Sequence, residues 1–161
     1  FSTLHTNNAP ETVTRLLDMG INPLNFSDAF QAVLAQRLAR VLCPKCKKKY
    51  HPSDEDIADI KKLYGKEHFD SSGLKLTPET FIYQAEGCDE CYGSGYKGRL
   101  GIYELMEGTK EIKRMIKKEA SPEELFTQAC KEGMTTLVQD GIAKVLQGLT
   151  DITEIRRVCV S

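Results

Sequence analysis

The chain has 161 residues, a formal net charge of −1 and 28% charged side chains. That balance describes a folded, water-facing chain and excludes a polyanion binder held by bulk charge, an acidic tail or a disordered linker. No run approaches the roughly 18 apolar residues of a membrane span.

The chain opens with Phe1-Ser2-Thr3-Leu4-His5, without a methionine or a signal-like basic-then-apolar segment, and so reads as a piece excised from something longer. Asn8 is placed to cap a helix, Pro10 suits its first turn, and Val13, Leu16 and Leu17 line one side until Gly20 stops it. A second periodic run follows Pro23, with Phe26, Phe30, Val33 and Leu34 on one face. Residues 38–42, Leu-Ala-Arg-Val-Leu, are expected to form a strand.

That strand runs into Cys43-Pro44-Lys45-Cys46, and a second pair, Cys88-Asp89-Glu90-Cys91, follows far downstream. Two cysteines separated by two residues aim both sulfurs at one centre, and two such pairs supply the tetrahedral thiolate set of a structural zinc. A lone pair is shared with redox motifs; the matched second pair makes the metal reading strong. Pro44, Gly93, Gly95 and Gly98 mark both pairs as loop knuckles. Paired disulfides, a dithiol redox site and an iron–sulfur cluster stay open as other readings, although cluster spacings usually differ. Six cysteines without an export signal fit a reducing compartment. Cys130 and Cys159 stand alone in helical patterns and read as small buried apolar residues.

Between the knuckles, Lys47-Lys48-Lys49-Tyr50 is a basic tract. Ser53 and Asp56 form a reciprocal cap for a helix with Ile57, Ile60 and Tyr64 inside, ended by Gly65. Residues 65–80 read as a loop and Phe81-Ile82-Tyr83 as a short strand. Metal would staple the two ends of this insertion. A structural zinc contributes on the order of 10 kcal/mol in small peptides, enough to outweigh the entropy of closing such a loop.

Beyond the second knuckle, residues 98–105 alternate as a strand that can pair with 38–42. Helical signals fill the remainder. Thr109 caps a run with Ile112, Met115 and Ile116, and Ser121-Pro122-Glu123-Glu124 is a full capping box ahead of Leu125, Phe126 and Ala129. Leu137, Ile142, Val145 and Leu146 make another stripe up to Gly148, and Ile152, Ile155 and Val158 a last one. Residues 109–160 therefore read as a small antiparallel helical subdomain.

Among ionisable groups, His5 sits in a Ser/Thr/Asn setting suited to a phosphate. On the residues alone, His5, His51 and His68 read as exposed bystanders, and four sulfurs leave His51 no vacant ligand position. No phosphate-cradling Gly-x-x-x-x-Gly-Lys-Ser/Thr loop, Ser-His-Asp order, paired-carboxylate site or His-Glu-x-x-His is present. The lysines at 45–49 echo nucleic-acid zinc ribbons, but the rest of the chain does not share their charge, so a solvated surface is expected and no nucleic acid. Cys91-Tyr92-Gly93-Ser94-Gly95 echoes a chaperone zinc knuckle, present once rather than repeated. A stand-alone binding module, for protein or nucleic acid, is thus the alternative reading, and a thiol oxidoreductase a third.

Ser2-Thr3-Leu4-His5-Thr6-Asn7, Arg15-Leu16-Leu17-Asp18-Met19-Gly20, Ala35-Gln36-Arg37-Leu38, the two knuckles, and Gly95-Tyr96-Lys97-Gly98-Arg99-x-Gly101-Ile102-Tyr103-Glu104 occur in an order that resembles the C-terminal part of the type II secretion and type IV pilus-assembly ATPases. The resemblance covers nearly the whole chain and is weakest over 50–82. It implies a parent that is a cytoplasmic hexameric motor with a RecA-like domain, binding ATP and Mg2+ and lying peripherally at the inner membrane. The implied partners are neighbouring subunits of a homohexamer and inner-membrane secretion or pilus platform proteins. It also implies that His5 is the later histidine of the family's histidine box, by the nucleotide's terminal phosphate, and that Cys43, Cys46, Cys88 and Cys91 are its tetracysteine zinc motif. Arg37 matches a family position and is given no role beyond an interface.

The expected fold is α+β, mainly α. Residues 1–42 are expected to be the edge of a RecA-like domain, 43–98 a zinc-binding subdomain with a short antiparallel sheet, and 99–161 a strand plus a helical bundle. The Walker motifs, the aspartate box and the start of the histidine box would precede Phe1, so this chain is not expected to be catalytic alone. Its RecA-derived residues are expected to leave apolar surface exposed.

Overall fold

A computed structural model describes residues 1–159 of the chain; Val160 and Ser161, at the end of the expected helical region, lie outside the described residues. The chain separates into two compact units. One is built from Phe1–Gln36 and Tyr103–Leu137, the other from Arg37–Ile102 and the described residues from Val138 onward.

In the first unit, α1 (Ala9–Asp18) begins where Asn8 accepts the Glu11 amide and Pro10 occupies the first turn. Val13 is fully buried, and α1 packs on α6 (Pro122–Lys131). The helix α2 (Pro23–Ala29) is capped by Asn22, whose Oδ1 accepts from Leu24 N at 2.9 Å, and it packs on α5 (Lys110–Lys117). The periodic run expected through Leu34 stops at Ala29, and an 11-residue strand, β1 (Ala32–Leu42), begins instead. Val33 and Leu34 suit either period, but β-branched Val33 favours extended backbone and the chain turns out at Phe30. The Ser121–Glu124 capping box opens α6, and Thr109 caps α5 through Ile112 N. Ile112, Ile116, Leu125 and Ala129 are buried as their spacing predicts.

The strand β4 (Tyr96–Glu107) pairs with β1 in a two-stranded sheet. Its buried residues alternate through Ile102, Glu104 and Met106. Glu104, only 2% exposed, is the exception in chemistry, and its two oxygens accept from Ala9 N at 2.9 Å and Leu137 N at 3.1 Å. Large apolar side chains stay exposed at Met19, Leu24 and Leu34 in this unit and at Leu38 in the other.

In the second unit, β2 (Lys48–Tyr50) and β3 (Ile82–Gln84) form an antiparallel ladder in the register Lys48 to Gln84 and Tyr50 to Ile82. The reciprocal Ser53–Asp56 cap starts α3 (Asp54–Tyr64), and Gly65 ends it at φ 96°. The segment expected to be loop, 65–80, contains a further short helix, α4 (Lys66–Ser71), because Phe69 folds back edge-on to Tyr64 with ring centroids 5.4 Å apart. Gln139, on α7 (Leu137–Leu146), donates to the Tyr64 carbonyl and ties the insertion down. The helices α7 and α8 (Ile152–Cys159) approach so closely that a Cβ on Gly141 would meet Ile155 at 2.8 Å. No helix among the described residues is long and apolar enough to cross a membrane.

Candidate metal centre

Each knuckle is shaped by backbone amides turned toward sulfur. At the first, the amides of Lys45 and Cys46 face the Cys43 thiol. At the second, Cys88 N and Gly95 N both lie 3.2 Å from Cys91 Sγ, and Gly87 N lies 3.3 Å from Cys46 Sγ. A 3-10 turn over Asp89–Cys91 carries the second pair, and Tyr92 leaves it in the left-handed region at φ 54°. Gly95 is required there, since a Cβ would overlap Ala85 Cβ at 2.6 Å. One backbone bond joins the knuckles directly, Cys43 N to Gly95 O at 2.9 Å.

These turns bring Cys43, Cys46, Cys88 and Cys91 together, their sulfurs all within 4.8 Å of one another. Cys43 and Cys88 are 3.8 Å apart, Cys46 and Cys91 3.7 Å, and Cys88 and Cys91 3.7 Å. A tetrahedral ion about 2.3 Å from each thiolate sets neighbouring sulfurs roughly 3.8 Å apart. Three of the six sulfur pairs thus sit at tetrahedral separation and the others lie within 4.8 Å, a donor set that suits one such ion. The separations far exceed a sulfur–sulfur bond of about 2.05 Å. An iron–sulfur cluster, whose four cysteines are shared among two or four irons, needs a wider set of sulfurs than this.

The electrostatics of the four thiols differ. Burial resists ionisation of Cys91, but the amides of Cys88 and Gly95 outweigh it and bring that thiol down to about 6. Burial pushes Cys46 up to about 12, the Gly87 amide opposing and the sulfurs of Cys88, Cys91 and Cys43 reinforcing. Crowded sulfurs thus resist joint ionisation unless a cation shares them.

The other sequence candidates lie elsewhere. His5 is exposed on the stretch before α1 in the first unit, and His51 and His68 are exposed in the second. The cysteine group contains no histidine; His51 stacks on Phe81 at 4.1 Å. Arg37 is half-buried on β1. The basic tract is engaged: Lys45 pairs with Glu90 at 2.8 Å, Lys47 lies over Tyr83, and Lys49 over Phe81. Cys130 is half-buried, and burial raises its thiol.

One polar cluster escaped the sequence reading. Glu154, fully buried on α8, accepts from Arg40 N, Nε and Nη2 and from Arg157. The Arg40 guanidinium also lies 4.1 Å from the Tyr96 ring centroid. A glutamate in the first turn of a helix reads as a solvated charge favouring the helix dipole, so nothing local marked Glu154 as buried.

The model of the Type II/IV secretion system protein family matches residues 1–157. A type IV pilus assembly ATPase, PilB, from Pseudomonas aeruginosa is 41% identical over 158 residues, 98% of this chain and 26% of its own. The type II secretion system protein E of the same species and the type II secretion system ATPase E of Vibrio cholerae are each 41% identical over 157 residues, 98% of this chain and 29% of theirs. The chain thus spans between a quarter and a third of the length of these relatives. Matched along nearly all of its length, the chain belongs to the Type II/IV secretion system protein family.

Proposed function

We propose that Cys43, Cys46, Cys88 and Cys91 hold one structural zinc ion in the C-terminal region of a hexameric cytoplasmic ATPase that powers type II secretion or type IV pilus assembly. The observation that carries the metal reading is the convergence of all four sulfurs within 4.8 Å, three of their six pairs at 3.7–3.8 Å, the edge of a zinc–thiolate tetrahedron. When bound, zinc supplies four strong bonds that close the loop between the knuckles. The chain's own contribution is the set of amides that stabilise thiolate at Cys43 and Cys91 and the turns that aim all four sulfurs inward.

The motor reading draws its support from the relatives, whose names describe pilus-assembly and secretion ATPases. In that reading ATP and Mg2+ bind upstream of Phe1, and this region supplies structure and contacts to neighbouring subunits and to inner-membrane platform proteins. His5, on its exposed stretch before α1, serves the nucleotide's terminal phosphate in the assembled protein. Engagement of Lys45, Lys47 and Lys49 within the chain speaks against a nucleic-acid surface.

Native mass spectrometry and elemental analysis of the purified chain test the metal. One zinc per chain is expected, with thiols that resist alkylation until a strong chelator is added and with local opening of 43–98 once it is. A folded, metal-free chain indifferent to chelator refutes the reading. For the motor, the upstream reading frame should carry a Walker A loop about one RecA domain before Phe1, and its absence removes the assignment.

A further inference from the structure

Four chain arms enter and leave the two knuckles, and all four meet one distant turn between α7 and α8. Into the first knuckle, Leu42 N donates to Leu149 O at 2.9 Å, and Thr150 Oγ1 donates to Arg40 O at 2.9 Å. Out of it, Lys47 Nζ donates to Gly148 O at 2.9 Å. Into the second knuckle, Ala85 N donates to Asp151 Oδ2 at 3.3 Å; out of it, the Tyr96 hydroxyl donates to the same oxygen at 2.7 Å. Thr150 and Asp151 are buried. Gly148 sits at φ 78°, and a Cβ there would press on the Tyr83 ring at 3.0 Å, so the turn lies flat against β3 as well. The remaining Asp151 oxygen accepts from Glu154 N at 2.9 Å and caps α8.

We propose that turn 148–151 is a positioning element of the metal centre, with Asp151 and Tyr96 as its principal members. Five hydrogen bonds fix the four arms at the separation the sulfurs require, so part of the entropy of closing the loop is already lost before an ion arrives. The inference rests on the zinc reading and deepens it. None of these residues contacts the ion; they act through the arms, as outer-shell partners of metal ligands do. Coupling of this kind is reciprocal: whatever affinity the turn lends the metal, the metal returns as stability of the turn.

The test uses the whole chain loaded with zinc, and follows metal transfer to an excess of chromophoric chelator. Tyr96→Phe removes only the hydroxyl donor and keeps the ring beneath Arg40. Asp151→Asn keeps an oxygen for the α8 cap and replaces the oxygen shared by Tyr96 and Ala85 with a donor. Both should still bind one ion per chain, with tetrahedral cobalt(II) bands after substitution, yet release zinc about 10- to 100-fold faster or bind it that much more weakly. Ile155→Val, which trims a buried α8 side chain away from the arms, should release it at the wild-type rate.

Zinc release at the wild-type rate from both Tyr96→Phe and Asp151→Asn overturns the proposal while leaving the zinc site intact. Equal acceleration by Ile155→Val at matched thermal stability overturns it too, because general loosening would then suffice. A wild-type chain that carries no metal removes the zinc reading and this one together. Hydrogen exchange on the unaltered protein gives a readout free of folding artefacts. Protection of the Leu42 and Ala85 amides should fall when zinc is stripped, and unchanged protection contradicts the coupling.

Discussion

Replacing Glu154 by glutamine isolates the buried charge that joins α8 to β1. Burial resists ionisation of Glu154, but hydrogen bonds from Arg157, from the Arg40 guanidinium and from the Arg40 amide outweigh it and hold the carboxyl at about 2, against an ordinary 4.5. A drop of that size corresponds to about 3 kcal/mol of differential stabilisation. Arg40 and Arg157 are 43% and 54% exposed, so water screens part of the attraction, and about 2 kcal/mol is expected. Because the folded value is depressed, the contribution is fully present above pH 4.5 and is lost as pH falls toward about 2. Urea unfolding of wild type and Glu154→Gln, compared at matched pH, should show a gap of about 2 kcal/mol at pH 7 that more than halves by pH 3. Effects of acid elsewhere in the chain are common to both proteins, so the difference reports the carboxylate. A glutamine variant within 0.5 kcal/mol of wild type at pH 7, or a gap unchanged at pH 3, would refute the argument (the threshold being about the usual scatter for neutral surface changes).

Two further substitutions probe other joints. Gly148→Ala forces a Cβ into the left-handed region and against Tyr83, and should cost about 1–3 kcal/mol in denaturant unfolding, whereas Gly20→Ala, with open space around it, should cost only the backbone part. Glu104→Ala leaves the Ala9 and Leu137 amides without their buried acceptor and should lower stability by roughly 2–4 kcal/mol, with faster exchange of both amides; Glu104→Gln, which can still accept one, should lose less.

What the sequence revealed was whatever its chemistry settles locally. The reciprocal caps at Ser53–Asp56 and Ser121–Glu124 need only residues three apart, and both form. The four cysteines were legible because two pairs of matched spacing have few uses, and their sulfurs do converge. The helix-to-strand change near Phe30 is not fixed by the local pattern, since Val33 and Leu34 satisfy both periods and only pairing with β4 decides between them. An amphipathic stripe states that a helix needs a partner without naming it: nothing in α5 or α6 says that their companions are α2 and α1. Asp151 was invisible for the same reason. Read locally it is a helix cap, while its other partners, Tyr96 and Ala85, lie 55 and 66 residues away.

Magnitudes decide how turn and metal divide the task of holding the knuckles. Around the second one, Cys91 and Gly95 are buried but Asp89, Glu90, Tyr92, Gly93 and Ser94 are exposed, so little apolar surface is available to hold it closed. Closing a loop of some tens of residues costs about 3 kcal/mol and grows only logarithmically with its length. Five neutral or charge-assisted hydrogen bonds from turn 148–151, at about 1 kcal/mol net each, are of the same order. They suffice to keep the arms near one another, but not to hold four mutually repelling thiolates within 4.8 Å. In the proposed zinc site that last step would fall to the ion, whose binding, about 10 kcal/mol or more in small zinc peptides, exceeds either term. Under the zinc proposal, arms held first by polar bonds and then locked by a cation would account for a turn so remote in sequence bonding the arms of both knuckles at once.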